Sequence, residues 1–281
     1  MDISNILTVD LEDWYQVHSL RHIVNFQDWD KYEDRVEIGA NKLLSILNEY
    51  NTKATFFVLG WVAEKYPELI RSIHSEGHEI ASHGYAHKLI YEQGPKEFEK
   101  DLKRSIEILE TITSKKVEGY RAPSWSIVRE TLWALDVLAE NGIKYDSSIY
   151  PTANYQFGLP DANRYPGIID TPSGHKLLEI PPSICKFLRK SVPVAGGFPL
   201  RAYPYWFTKY QIKKLNKDNL RAVVYLHPWE LDTAHPKIKL PLKNRIIHYF
   251  RLGKMETNIR NLLNSFRFAS IESIFLRKEN V

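Results

Sequence analysis

The chain reads as an α/β protein built on parallel strands, and three observations predict it. Short apolar, β-branched runs alternate with amphipathic helical stretches through the first two thirds of the chain. The connections between them are short. Glycines stand where helices should stop. Regular strand–helix alternation argues for parallel strands joined by right-handed crossovers.

Each element has its own signal. ILTVD (6–10) is a short apolar run ending in an acid, which predicts a buried strand. EIGANKLLSILNEY (37–50) has apolar residues at helical spacing, and KATFFVLG (53–60) is a β-branched and aromatic strand. WVAEKYPELIRSIHSEG (61–77) is amphipathic and stops at Gly77, and HEIASH (78–83) is a short strand. EFEKDLKRSIEILETIT (97–113) carries Leu102, Ile106, Leu109 and Ile112 along one side of a helix. VEGYRAP (117–123) is strand-like and ends at a proline. ETLWALDVLAENG (130–142) is a helix ending at Asn-Gly, and IKYDSSIYP (143–151) is a strand. Residues around 151–203 are rich in proline and glycine and predict loops with one or two short strands. PYWFTKYQIKKLNKD (204–218) returns to helix, and RAVVYLHPWE (221–230) is the last convincing buried strand. KMETNIRNLLNSF (254–266) is a final amphipathic helix, followed by FASI (268–271). No repeat, low-complexity tract or linker interrupts the series. The expectation is one domain over 1–281, with a loop-rich insertion around 151–203 and a C-terminal helical extension.

Composition removes several function classes. With 43% hydrophobic and 26% charged residues the chain is globular rather than disordered. A net charge of +4 is too mild to argue for nucleic acid binding. A single cysteine, Cys185, excludes an internal disulfide framework. No apolar stretch is long enough to span a membrane, and MDISNILTVDLEDW lacks the basic and apolar regions of a signal peptide. The expected compartment is therefore the cytoplasm, with work near a membrane left open. Lys237, Lys239, Lys243 and Arg245 read as a solvated face.

The unusual polar groups fall at strand ends. Asp10, Glu12 and Asp13 end the first strand, and His83 and His87 follow the third. Arg121 ends the fourth, Asp146 lies on the fifth, and His227 ends AVVYLH. In parallel α/β barrels the C-terminal strand ends form the rim where active sites lie. Each residue alone has an ordinary reading: a turn aspartate, a chance histidine pair, a structural ion pair, a satisfied core histidine. Together they would form a charged cluster that is costly to desolvate without partners or a metal.

The ordered series TVDLEDWYQV (8–17), KATFFVLG, HEIASHGYAH, GYRAPSWSI, YDSSIYP and YLHPWE resembles the polysaccharide deacetylases of carbohydrate esterase family 4, the NodB-homology group. The opening motif is similar to the exopolysaccharide-associated branch. The resemblance implies a distorted, incomplete (β/α) barrel of about seven parallel strands. It also implies a metal-dependent hydrolase that removes N-acetyl groups from an amino-sugar polysaccharide or its oligosaccharide precursor. The implied cofactor is a divalent metal, usually zinc, and the implied partner is an N-acetylated glycan. His83 and His87 occupy the histidine positions of its H-[ST]-x-x-H-like motif, with Gly84 in place of the hydroxyl residue. Asp10 aligns with the general base. The carboxylate ligand is Glu12 if the strand continues, because strand side chains alternate, or Asp13 if the chain turns after Leu11. Arg121, in RAPS, matches the arginine that holds the base, and His227, in YLHP, the acid that protonates the leaving amine. Asp146, in YDSS, is expected to orient His227. Trp125 and Trp229 adjoin the motifs as sugar-facing or core rings. Two rival readings share these motifs: hydrolysis of a small non-sugar amide, and a catalytically inactive carbohydrate-binding module.

Overall fold

The structure is a computed structural model that describes residues 3–152, 157–187, 190–194 and 196–277. Strand β1 (Ser4–Leu11) is buried from Asn5 onward. Helix α1 (Val36–Glu49) and strand β2 (Thr55–Val58) follow. The single helix expected over 61–77 is two, α2 (Gly60–Lys65) and α3 (Pro67–Ser75). Tyr66 leaves helical geometry at φ −127°, ψ 59° because the residue before a proline is pushed out of the α region. Then come β3 (Glu79–Ser82) and α4 (Pro95–Thr113), which starts on a proline at its first turn. They lead to β4 (Gly119–Tyr120), α5 (Trp133–Glu140) and β5 (Tyr145–Asp146).

The insertion is more ordered than its composition predicts. It holds β6 (Gly167–Asp170), β7 (Lys176–Glu179), β8 (Ile184–Phe187) and β9 (Lys190–Pro193), paired as two antiparallel hairpins. Gly174 closes the first at φ +86°, a conformation glycine adopts freely. Residues 153–156, 188, 189 and 195 of this stretch lie outside the described residues. The chain continues through α6 (Gly197–Ala202), α7 (Tyr205–Lys217) and β10 (Val223–Leu226). It ends with α8 (Leu242–Tyr249), α9 (Met255–Ser265) and β11 (Arg267–Ala269). Helix α8 has no counterpart in the sequence reading, because its apolar residues do not face a core.

The chain forms two compact units, residues 1–55 with 194–281, and residues 56–193. In the first, β1 pairs in parallel with β10 and with β11, placing Ile6 opposite Val223 and Val9 opposite Leu226. Its core includes Ile6, Leu7, Leu43, Leu47 and Val224. In the second, the order is β2-β3-β4-β5-β7-β6, with β6 antiparallel to β7 and the pairs from β3 through β5 to β7 parallel. Phe56, Phe57, Phe98, Leu102 and Leu138 are fully buried there. In the first unit β1 and β10 run the same way, so Asp10 and His227 come at the same end. In the second, β3, β4 and β5 end at or just before His83, Arg121 and Asp146. No described helix is long and apolar enough to cross a membrane.

Candidate functional site

In the first unit the alternation of β1 carries past its last residue, so Asp10 and Glu12 share a face. The Nε2 of His227 lies 3.9 Å from Asp10 Oδ2 and 3.7 Å from Glu12 Oε1. Both carboxylates are buried. Asp13 does something else. Its Oδ1 accepts the N–H of Trp14 at 2.7 Å, and its Oδ2 accepts the N–H of Arg35 at 2.6 Å and of Val36 at 2.9 Å. Arg35 and Val36 open α1, so Asp13 satisfies the unpaired donors of that helix end from a distance in sequence. Burial pushes its carboxyl up to about 7 against the pull of those three hydrogen bonds. Both Asp13 oxygens are engaged by backbone, which leaves Glu12 as the ligand candidate on this strand.

The other nitrogen of His227 is held by a residue the sequence reading missed. Nδ1 donates to Glu230 Oε2 at 3.1 Å, and Glu230 Oε1 accepts from Arg201 Nε at 2.6 Å. Glu230 and Arg201 are both almost fully buried. Burial would raise the Glu230 carboxyl, but the Arg201 charge and His227 hold it below the usual carboxylate range. For His227, burial disfavours the cation. The Glu230 hydrogen bond and the charges of Glu230, Glu12 and Asp10 outweigh it and push the imidazolium up to about 9. Both ring nitrogens of His227 are thus engaged within the first unit, Nδ1 by Glu230 and Nε2 facing Asp10 and Glu12. Arg201 is a brace, since it also donates to the carbonyls of Ile247 and Phe250 at the end of α8. A Cβ on Gly197 would stand 3.0 Å from the His227 ring, and one on Gly196 2.3 Å from the Tyr225 ring. The paired glycines of PVAGGFP therefore make room for the β10 end. Trp229, 5% exposed and stacked on His248 at 4.5 Å, belongs to the core.

In the second unit His83 leaves β3 directly into a loop. Its Nδ1 donates to the Arg121 carbonyl at 2.7 Å. That fixes the tautomer with the lone pair on Nε2, the arrangement a metal-binding histidine takes from its supporting hydrogen bond. The His83 and His87 rings stand 5.3 Å apart, and the segment between them is a loop rather than a helical turn. His87 sits at φ +52° and Gly84 at φ +75°. Asp101 of α4 organises the loop by accepting the N–H of Tyr85 at 2.7 Å. A Cβ at position 84 would lie 3.0 Å from that carboxylate, which accounts for glycine where the resembled motif carries a hydroxyl residue. Arg121 is fully buried, donates to Ser147 Oγ at 2.8 Å and lies over the Phe57 ring at 4.2 Å. Asp146 accepts from the Ser148 hydroxyl and N–H, and Glu179 accepts from Ile149 N–H at 3.1 Å. Burial raises both carboxyls. At Glu179 the Asp146 charge beside it adds to burial and drives the carboxyl well above the usual range. Trp125 is half-buried against Tyr150. Glu179 and Asp101 lie outside the motifs, and Glu230 closes YLHPWE without a role in the sequence reading. Only Glu230 had a local signal, standing three residues after His227 on a 3₁₀ turn.

Residues 29–145 match the family model described as polysaccharide deacetylase. Residues 147–276 match a domain of unknown function, DUF3473. A peptidoglycan deacetylase of Helicobacter pylori is 34% identical over 113 residues, 40% of this chain and 38% of that protein. A peptidoglycan-N-acetylglucosamine deacetylase of Bacillus cereus is 29% identical over 150 residues, 48% of this chain and 52% of that one. The chain thus spans about half the length, or less, of the curated relatives it matches. A solved Mycobacterium smegmatis protein assigned to the polysaccharide deacetylases superposes with a TM-score of 0.62 at 23% identity, over 98% of this chain and 93% of that one, and shows a shared fold. Residues 29–145 thus match the polysaccharide deacetylase family, the NodB-homology group of carbohydrate esterase family 4, and over nearly its whole length the chain shares the fold of a protein assigned to that family.

Proposed function

We propose that this protein hydrolyses N-acetyl groups from an amino-sugar polymer or its oligosaccharide precursor, with a divalent metal, zinc by preference, as its cofactor. The observation that carries the reading is His83, whose Nδ1–H is pinned by a backbone carbonyl so that Nε2 is the basic atom beside His87. Glu12, His83 and His87 would supply a carboxylate and two imidazoles, donor types that suit zinc. Bound there, the ion would supply an acidified water and draw charge from the N-acetyl carbonyl.

The chain's own groups would do the rest. Asp10, a buried carboxylate, takes the proton of the attacking water. His227, held as an imidazolium by its carboxylate neighbours, gives a proton to the leaving nitrogen. Glu230 accepts from Nδ1 and so keeps the transferable proton on Nε2. Arg121 supports His83 through its carbonyl and is itself fixed by Ser147. Asp146 enters as a positioning residue of the same network, through Ser148 and Glu179. Relatives described as peptidoglycan deacetylases support an acetylated glycan as substrate, and the opening motif supports an exopolysaccharide.

The test is acetate release from N-acetylglucosamine oligomers and from small acetylated amides, with the protein loaded with zinc or treated with chelator. Acetate from the glycans alone, abolished by chelator and by Asp10→Asn, is the expected result. Turnover of the small amides but not the glycans would move the substrate class. No acetate from either would leave a carbohydrate-binding protein.

A further inference from the structure

The segment from Lys237 to Lys254 contains six cations, Lys237, Lys239, Lys243, Arg245, Arg251 and Lys254, and no acidic residue. All six are exposed. Helix α8 lies in its middle and carries its apolar residues outward. Leu242 is 65% exposed, Ile246 45% and Phe250, at the C-terminal cap, 40%. These three recur every four residues and so share one side. The opposite side holds α8 to the protein: His248 is fully buried, and Asn244 donates to the Ser19 carbonyl at 2.6 Å. Lys243 and Arg245 flank the apolar row.

A row of aliphatic and aromatic side chains bordered by cations is the pattern of a helix lying in the plane of a membrane surface. The apolar row enters the headgroup boundary while the flanking cations meet anionic lipid. Other occupants fit less well. A second copy of this face would bring six cations against six. A nucleic acid or an acidic protein surface would use the cations but leave Leu242, Ile246 and Phe250 in water, where clustered apolar side chains otherwise call for a partner. We infer that α8 and its basic flanks dock the protein on an anionic lipid bilayer.

The experiment is co-sedimentation of the full chain with vesicles of phosphatidylcholine alone and of phosphatidylcholine mixed with phosphatidylglycerol. Binding should be about tenfold or more tighter to the anionic vesicles and should weaken as salt is raised. Lys243→Glu with Arg245→Glu should abolish the preference for anionic lipid. Leu242→Ser with Ile246→Ser should weaken binding about tenfold while leaving the charges intact. These positions are exposed, and melting curves matching the parent establish that the variants fold. Three results would each overturn the inference. One is a folded protein that ignores anionic vesicles at low salt. Another is a serine variant that binds vesicles as the parent does. The third is capture by heparin or an oligonucleotide without capture by vesicles.

Discussion

At the scale of single residues, His227 and Asp13 show how neighbours assign a role. His227 presents Nε2 to two carboxylates only because Glu230 takes Nδ1, and Glu230 stays ionised because Arg201 is buried against it. Glu230→Gln keeps the shape and an accepting oxygen but removes the charge. It should lower kcat for acetylated oligomers about tenfold or more with little change in KM. His227→Ala should cost about 10²–10⁴-fold. In the double variant the losses should not multiply, because both act through one ring. Rates on an activated ester, whose leaving group needs no proton, should fall far less; equal losses on both substrates would mean that Glu230 is merely structural. Asp13 and Glu12 separate in the same way. Asp13→Ala removes the acceptor of three backbone donors and should destabilise the fold by about 1–3 kcal/mol in urea titrations, leaving zinc affinity unchanged. Glu12→Gln should do the reverse, and loss of zinc affinity in the Asp13 variant alone would exchange the two roles.

At the scale of elements, the loop that leaves β3 is positioned by a helix distant in sequence. Asp101 of α4 accepts from Tyr85, and the Arg121 carbonyl after β4 pins His83. Supports of this kind govern metal affinity nearly as strongly as the ligands do. Asp101→Ala should therefore weaken zinc binding about 10–100-fold in calorimetric titration, with secondary structure unchanged. Unaltered affinity would show that the loop holds itself. The same distinction explains what the sequence made legible. Strands such as TFFV and VVYL were readable because apolar residues in a short run have one reason to be there. His83, His87, Arg121 and His227 were readable because strand ends place them. Glu230 was not, since its partner Arg201 lies 29 residues earlier on α6. Helix α8 was not, since its periodicity points outward. The break at Tyr66 was signalled by Pro67 alone, inside an otherwise continuous amphipathic pattern.

At the scale of the whole molecule, the two family matches meet at Asp146, inside β5, whereas the compact units divide at residues 55 and 193. A boundary that cuts a strand does not mark separately folding pieces. Stability should therefore be read on the entire chain, and its dependence on pH follows from buried titratable groups of opposite sign. His227 in the folded protein holds its proton up to about 9, against about 6.5 in an unfolded chain. Its stabilisation is complete below pH of about 6.5 and is lost as pH rises through about 9, a change on the order of 3 kcal/mol. His248 works the other way. Burial, with the nearby charges of His235 and Arg201, depresses it to about 3, so its stabilisation is present above about 6.5 and is lost as pH falls toward 3. Chelator-treated protein should accordingly be most stable slightly below neutrality, with denaturant midpoints falling on both sides. Two substitutions assign the limbs. His227→Gln should flatten the alkaline fall, and His248→Gln should flatten the acid one, since neither glutamine titrates. An alkaline limb that persists in His227→Gln would mean that the carboxylates around that ring do not hold its proton in the folded state, and the proton donor would have to be sought elsewhere.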